Sequence, residues 1–426
     1  MTGLAQEKIW LAGGARLSGE VTISGAKNAV LPLMAASLLT GGECIINNVP
    51  RLDDVLVMLS VFKELGVTAD FCGHRLRLDC RRVRPAAVDP RVLGRIRASN
   101  LILGPLLARF KEAEIGACGG CSIGSRPLDL HFAALEALGA RILPLENGYF
   151  AFARDLKGAQ VTFPFPSVGA TENMIMAAAL AQGRTVLSGA ATEPEIVELA
   201  AYINAMGGKV TGAGTPIIVI DGVKSLHGAS YTVIPDRIEA GTYLLAGALS
   251  GGEVFLRRAR KAELAALLST FDAMGVNWRE TADGLWVKGG RLRSTDIVTA
   301  PHPGFPTDLQ PLLTAVLCTA QGRSTVRETI FENRFTYVAE LKKMGASIQI
   351  RDNCAIINGV PALFGADVAA GDLRAGAALV LAALAAEGES LISGVEHIDR
   401  GYEDMVPKLS ALGADIRRVK LRAQAV

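Results

Sequence analysis

GRSTVRETIFENRFTYVAELKKMGASIQIRDNCAIIN, residues 322–358, holds most of the pattern that organises this chain. Gly322 sits in a polar turn. Residues 324–326 hold the β-branched Thr325 and Val326 and predict a short strand. An amphipathic stretch follows and stops at Met344-Gly345, where glycine suits the left-handed conformation that ends a helix. Residues 346–350 and 355–358 predict two strands across a turn at Asp352-Asn353.

Working outward, the helix-ending Leu-Gly or Met-Gly pair recurs at Gly66, Gly139, Gly207, Gly275, Gly345 and Gly413, at spacings of 73, 68, 68, 70 and 68 residues. Six units of about 70 residues account for nearly all of the 426 residues. An Ala-rich apolar helix precedes the pattern in each unit, as at 176–181 and 379–386. The turn glycines Gly42, Gly183, Gly251, Gly322 and Gly388 lie 23–25 residues before their capping glycines. The second unit lacks a turn glycine and carries a cysteine segment in its place.

The fold class expected is α/β, built of six α+β repeats in two three-repeat domains. Residues 24–39 and 233–249, whose starts are 209 apart, each lead a polar entry into a small-residue apolar helix. Read as two crossings between domains, they place one domain at 27–234 and the other at 1–26 plus 235–426. Ligands commonly bind where domains meet.

Forty-four basic and 42 acidic residues leave a net charge of +2, which gives no reason to expect nucleic acid or a membrane surface as partner. The basic run Arg81, Arg82, Arg84, Arg91, Arg95 and Arg97 reads mainly as a solvated face. Glu7 and Lys8 precede any apolar run, so no signal peptide is expected. The longest apolar stretches, 29–39 and 375–386, are short of the ~20 residues a bilayer needs. Seven scattered cysteines fit a reducing cytoplasm better than a disulfide framework.

Chemistry-bearing segments stand out less sharply. SGAKNA at 24–29 puts Lys27 and Asn28 at a helix start, where anions are attracted, although Gly-x-Lys alone is equally a structural turn. CGGCSIGSRP at 118–127 is a flexible glycine loop with a CxxC. Thioredoxin-like and zinc readings both lack support, since His131 is the only nearby additional ligand. No Gly-Lys-Ser/Thr follows, so it is no P-loop. Five histidines form no metal pattern, and neither a metal nor a cofactor is expected. Asp308 follows the turn FPT. FENR, DLR and HIDR each set an acid near Arg334, Arg374 or Arg400. These read either as surface ion pairs of ~0–1 kcal/mol or as arginines gathered by the repeat around a multiply anionic substrate.

Taken together, ten ordered segments resemble the UDP-N-acetylglucosamine branch of the enolpyruvyl transferase family over essentially the whole chain. They are SGAKNA (24–29), IRAS (96–99), GGCSIGSRPLDLH (119–131), SVGAT (167–171), PEIVELA (194–200), PDRIEAGT (235–242), APHPGFPTDLQ (300–310), FENRF (331–335), DLRA (372–375) and HIDRGYE (397–403). The resemblance implies a two-domain inside-out α/β barrel of six repeats. It also implies transfer of the enolpyruvyl group of phosphoenolpyruvate to the 3-hydroxyl of UDP-N-acetylglucosamine, without cofactor, at the start of peptidoglycan precursor synthesis. Lys27, Asn28, Arg126 and Arg400 would hold phosphoenolpyruvate in an interdomain cleft. Lys27, Cys121, Asp308 and Arg400 would form the chemical core. Cys121 would protonate the methylene carbon and be the thiol alkylated by the epoxide fosfomycin, and Asp308 would orient the sugar hydroxyl. Arg97, Arg126, Pro127, Leu128, Asp129, Leu130, Phe165, Pro166, Ser167, Val168 and Ile330 match positions lining the UDP-sugar site. Arg334, Asp372 and Arg374 match further cleft residues. Cys118 stands where many members carry proline, and Phe165 where some carry lysine.

Overall fold

The computed structural model describes residues 6–85, 97–116 and 128–421. They form two compact units, one of residues 25–234 and the other of 6–24 with 235–421. The boundary differs by two residues from that expected. Gly25 lies with 25–234 because the Asn48 carbonyl occupies the place a Cβ would take. The N–H of Ala26 donates to the Ile234 carbonyl at 2.8 Å.

Among the described residues, five repeats build a sheet of three antiparallel strands and a parallel neighbour, while the second shows only the three antiparallel strands. In residues 322–358, Arg323–Arg327 pairs antiparallel with Cys354–Asn358, which pairs with Ser347–Arg351. The short strand Ile297–Val298, from the preceding repeat, lies parallel to Arg323–Arg327. The same order recurs in the other unit, where Ser230–Thr232, after the third repeat, pairs with Glu43–Asn47 of the first. Three repeats therefore close on themselves. The last repeat obtains its middle strand from the chain start: Gln6–Ala12 runs antiparallel to both Glu389–Ser393 and Asp415–Leu421, with Ile9 opposite Ile392.

One apolar inner helix per repeat fills each core: Lys27–Ser37, Leu103–Phe110 and Val168–Ala178 in one unit, Arg237–Ser250, Gln310–Leu317 and Leu373–Ala385 in the other. They are buried almost all round, as expected of helices without a polar face. The latter three pack on one another. Small residues allow it: a Cβ on Gly241 would come within 2.8 Å of the Leu309 methyls.

All six capping glycines adopt left-handed φ, from 77° at Gly275 to 99° at Gly413. In the second repeat the turn survives without glycine. Lys111 takes φ 68° and follows Leu103–Phe110 directly. Its Nζ donates to the Ala108 carbonyl at 3.0 Å, which offsets some of the strain. No helix among the described residues is long and apolar enough to cross a membrane.

Candidate functional site

Lys27, Asp308, Asp372 and Arg374 sit where inner helices begin. Asp236 and Asp372 cap their helices, each accepting from two backbone N–H groups at 2.8 and 3.0 Å. Ser167 caps Val168–Ala178 through the Ala170 N–H. Asp372 thus holds backbone, and its neighbour Arg374 turns elsewhere. Asp372 and Arg374 do not pair with each other, because positions two apart on a helix do not face each other. Arg374 donates instead to Oδ2 of Asp308 at 2.9 Å, and Arg334 to Oδ1 at 3.2 Å. Asp399 pairs with Arg418.

Asp308 is therefore gripped from both sides. Arg334 also donates to the Thr307 carbonyl at 3.0 Å and lies over the Phe331 ring. Arg374 stacks over Tyr402, whose hydroxyl meets that of Thr242 at 2.9 Å. The two arginine side chains are only 2% and 6% exposed, while Asp308 keeps 28%. Burial opposes the charge on Arg374, but Asp308, Tyr402 and Asp236 override it and raise its pKa. Two guanidinium groups, one on each carboxylate oxygen, fix the carboxylate plane.

In the other unit, Lys27 opens the helix Lys27–Ser37. Ala26 offers no side-chain cap, and no acid lies in the first turn. The positive helix end is thus unopposed by its own sequence. Lys27 Nζ lies 2.5 Å from Asp54 in the first turn of Asp53–Glu64. A buried lysine needs such a partner.

Each unit thus holds one such cluster, and the chain is similar to known transferases. A family model described as EPSP synthase (3-phosphoshikimate 1-carboxyvinyltransferase) matches residues 11–409. A UDP-N-acetylglucosamine 1-carboxyvinyltransferase of Gluconobacter oxydans is 49% identical over 416 residues, 97% of this chain and 99% of the relative. The like-named protein 1 of Staphylococcus aureus is 49% identical over 419 residues, 97% and 99%. The chain belongs to the UDP-N-acetylglucosamine 1-carboxyvinyltransferase branch of the enolpyruvyl transferases. The crystal structure of the enolpyruvyl transferase NikO from Streptomyces tendae is similar with a TM-score of 0.88 at 27% identity, covering 98% of this chain and 100% of that one. EPSP synthase from Acinetobacter baumannii, at 19% identity and a TM-score of 0.76 over 97% and 100%, shares the fold. The α/β class expected from the repeat is that of these enolpyruvyl transferases.

The remaining candidates divide three ways. Ile330 sits beside Asp308 through Glu328, a buried residue that sequence reading missed. Its Oε1 accepts from the N–H groups of Ile330 and Phe331 at 2.8 and 3.2 Å and from the Thr299 hydroxyl, and its Oε2 from Thr307 at 3.0 Å. Leu128, Asp129 and Leu130 begin the helix Asp129–Ala137, and Phe165, Pro166, Ser167 and Val168 form the turn into the helix Val168–Ala178. Phe165 is 44% exposed. Arg97 opens the 3-10 helix Arg97–Ile102, and Arg400, half-buried, follows Val395–Asp399. Cys118, Cys121, Arg126 and Pro127 lie outside the described residues, as do Arg91 and Arg95.

Asp54 was also missed from sequence, because a first-turn aspartate reads as a helix-dipole partner on any helix. One further buried carboxylate stands near the chain crossing. Glu239 accepts from Lys408 Nζ at 2.6 Å and from the Ser24 N–H at 2.7 Å. Burial pushes its pKa up to about 7 against the pull of Lys408.

Proposed function

We infer that the chain transfers the enolpyruvyl group of phosphoenolpyruvate to the 3-hydroxyl of UDP-N-acetylglucosamine by addition–elimination, releasing phosphate. This is the first committed step of peptidoglycan precursor synthesis, and it takes place in the cytoplasm. The observation that carries the reading is 49% identity over nearly the whole of both chains to relatives named for that substrate. The more distant NikO, at 27%, marks other enolpyruvyl acceptors as the rival reading.

Lys27, Asn28, Arg126 and Arg400 bind phosphoenolpyruvate. Support comes from the uncapped start of Lys27–Ser37, which adds backbone dipoles to the charge of Lys27. Cys121 gives its proton to the methylene carbon, leaving an oxocarbenium-like centre at C2. An unperturbed thiol has a pKa of about 8.5 and is mostly protonated near neutrality. The sugar 3-oxygen bonds to C2 as its hydroxyl proton passes to Asp308. The tetrahedral ketal then gives a methyl proton to the Cys121 thiolate, the C=C bond re-forms as the C2–O bond to phosphate breaks, and phosphate leaves. Cations that bind the phosphate stabilise its departure. Arg334 and Arg374 act by holding Asp308 in the accepting orientation. Arg97, residues 126–130, residues 165–168 and Ile330 line the nucleotide-sugar site, and Asp372 holds Arg374 in place by capping its helix. The domain of residues 27–234 and that of 1–26 with 235–426 both supply residues to the reaction.

Phosphate release measured with phosphoenolpyruvate and, in turn, UDP-N-acetylglucosamine, shikimate 3-phosphate and UMP tests the reading. Release only with UDP-N-acetylglucosamine is expected. Turnover with either other acceptor, and none with it, overturns the assignment.

A further inference from the structure

Asn173 lies within the inner helix Val168–Ala178 and is 1% exposed, an unusual place for an amide. Its hydrogen bonds leave no freedom in how it is oriented. The backbone N–H of Gly104 can only donate, and it lies 2.7 Å from Oδ1. The carbonyl of Asn100 can only accept, and it lies 3.1 Å from Nδ2. Nδ2 is therefore the donor end, and its second hydrogen has Nδ1 of His131 at 3.1 Å and, farther off, the Gly169 carbonyl at 3.5 Å. It follows that Nδ1 of His131 accepts, and that the imidazole is neutral with its proton on Nε2. Burial favours that form, outweighing the pull of Asp129 and holding the ring's pKa down to about 4.

Backbone space is reserved for this contact on two sides. A Cβ on Gly104 would stand 2.5 Å from the Asn173 carbonyl oxygen and 2.9 Å from Oδ1. A Cβ on Gly169 would stand 3.1 Å from Cε1 of His131. Small residues here let three segments meet at one amide.

Those three segments are the ones that the functional reading gives to the nucleotide sugar. Asn100 belongs to the 3-10 helix that Arg97 opens. His131 stands in the first turn of the helix begun by Leu128, Asp129 and Leu130. Asn173 is one turn beyond Ser167 and Val168. We propose that His131 and Asn173 are positioning residues that lock these three segments in register and thereby set affinity for the nucleotide sugar, apart from phosphoenolpyruvate. The proposal rests on the reading above. Neither residue touches the reacting atoms.

Titration calorimetry with UDP-N-acetylglucosamine, together with steady-state kinetics, tests it. Wild-type protein that fails to bind the nucleotide sugar refutes the functional reading itself, which separates that failure from failure of the proposal. His131→Leu removes the acceptor. It should raise the Kd and KM for UDP-N-acetylglucosamine by about tenfold or more while the KM for phosphoenolpyruvate stays within about twofold. His131→Asn offers an oxygen near the place of Nδ1 and should recover affinity to within about threefold. Asn173→Leu, where it folds, should match His131→Leu. The proposal falls if His131→Leu binds the nucleotide sugar as wild type does. It falls equally if the KM values of both substrates rise together, or if His131→Asn is no better than His131→Leu.

Discussion

Asp308 and Lys27 solve opposite problems at the starts of inner helices. Asp308 is one carboxylate between two buried guanidinium groups, and it keeps a quarter of its side chain open to solvent. Lys27 is one ammonium against one buried carboxylate, Asp54, with both side chains nearly covered. The first arrangement carries an excess of positive charge, and its planar forks fix the orientation of a single acceptor. The second is balanced. Its lysine is paired with Asp54 at the start of a helix that has no side-chain cap. An orienting acceptor needs rigidity, whereas an anion contact needs retained charge, and the two clusters differ accordingly.

Arg334→Ala should break the first arrangement most severely. It strips Asp308 Oδ1 and the Thr307 carbonyl of their donor and leaves a cavity beneath Phe331. A loss of about 3 kcal/mol in unfolding free energy is expected, read from urea denaturation. A change under about 1 kcal/mol would mean that the arginine is dispensable to packing, and that the contrast drawn here is one of chemistry alone.

Asp308→Asn keeps the shape but removes the charge. Turnover should fall roughly 100-fold, with the unfolding midpoint nearly unchanged. Activity near that of wild type would reduce Asp308 to a turn residue and remove the reason for two arginines.

Asp54→Asn tests the balanced pair. The lysine loses its counter-charge and its charged form is disfavoured. The KM for phosphoenolpyruvate should rise about tenfold, with a smaller effect on that for UDP-N-acetylglucosamine. An equal rise in both would place Asp54 in general scaffolding.

Glu239 and Lys408 give the finest comparison, since they too are one lysine and one buried carboxylate. Here burial raises the folded pKa to about 7, above the ordinary value of 4.5. Between those values the folded state binds more protons than the unfolded one, so stability falls as pH rises. From pH 6 to 7 the wild type should lose about 1 kcal/mol relative to Glu239→Gln, measured by urea unfolding at each pH. Parallel curves for the two proteins would show that Lys408 keeps Glu239 fully charged.

How far these features could be read beforehand follows from how local their causes are. The glycine caps at Gly66, Gly139, Gly207, Gly275, Gly345 and Gly413 were legible because a left-handed turn needs glycine at that point. The hairpin over 347–358 was legible from β-branched residues and its Asp-Asn turn. Lys111 escaped notice since a single non-glycine residue at φ 68° leaves no compositional trace. Arg334, Arg374 and Asp308 were recognisable as candidates, but their mutual bonds span 26 and 66 residues. The nearest acid in sequence proved the wrong partner for each arginine.

By itself the sequence determined the repeat, the helix ends, the family and the residue types available for chemistry. These depend on local backbone preferences and on an ordered string of motifs, both carried along one dimension. Tertiary structure alone decided that Gln6–Ala12 completes the last sheet, that Asp54 partners Lys27, that Glu328 braces the Ile330 turn, and that Asn173 fixes the proton of His131. Each of these is a choice among many chemically equivalent donors and acceptors. Burial makes that choice, because a polar group removed from water must find its partner among whatever the folded chain brings within about 3 Å.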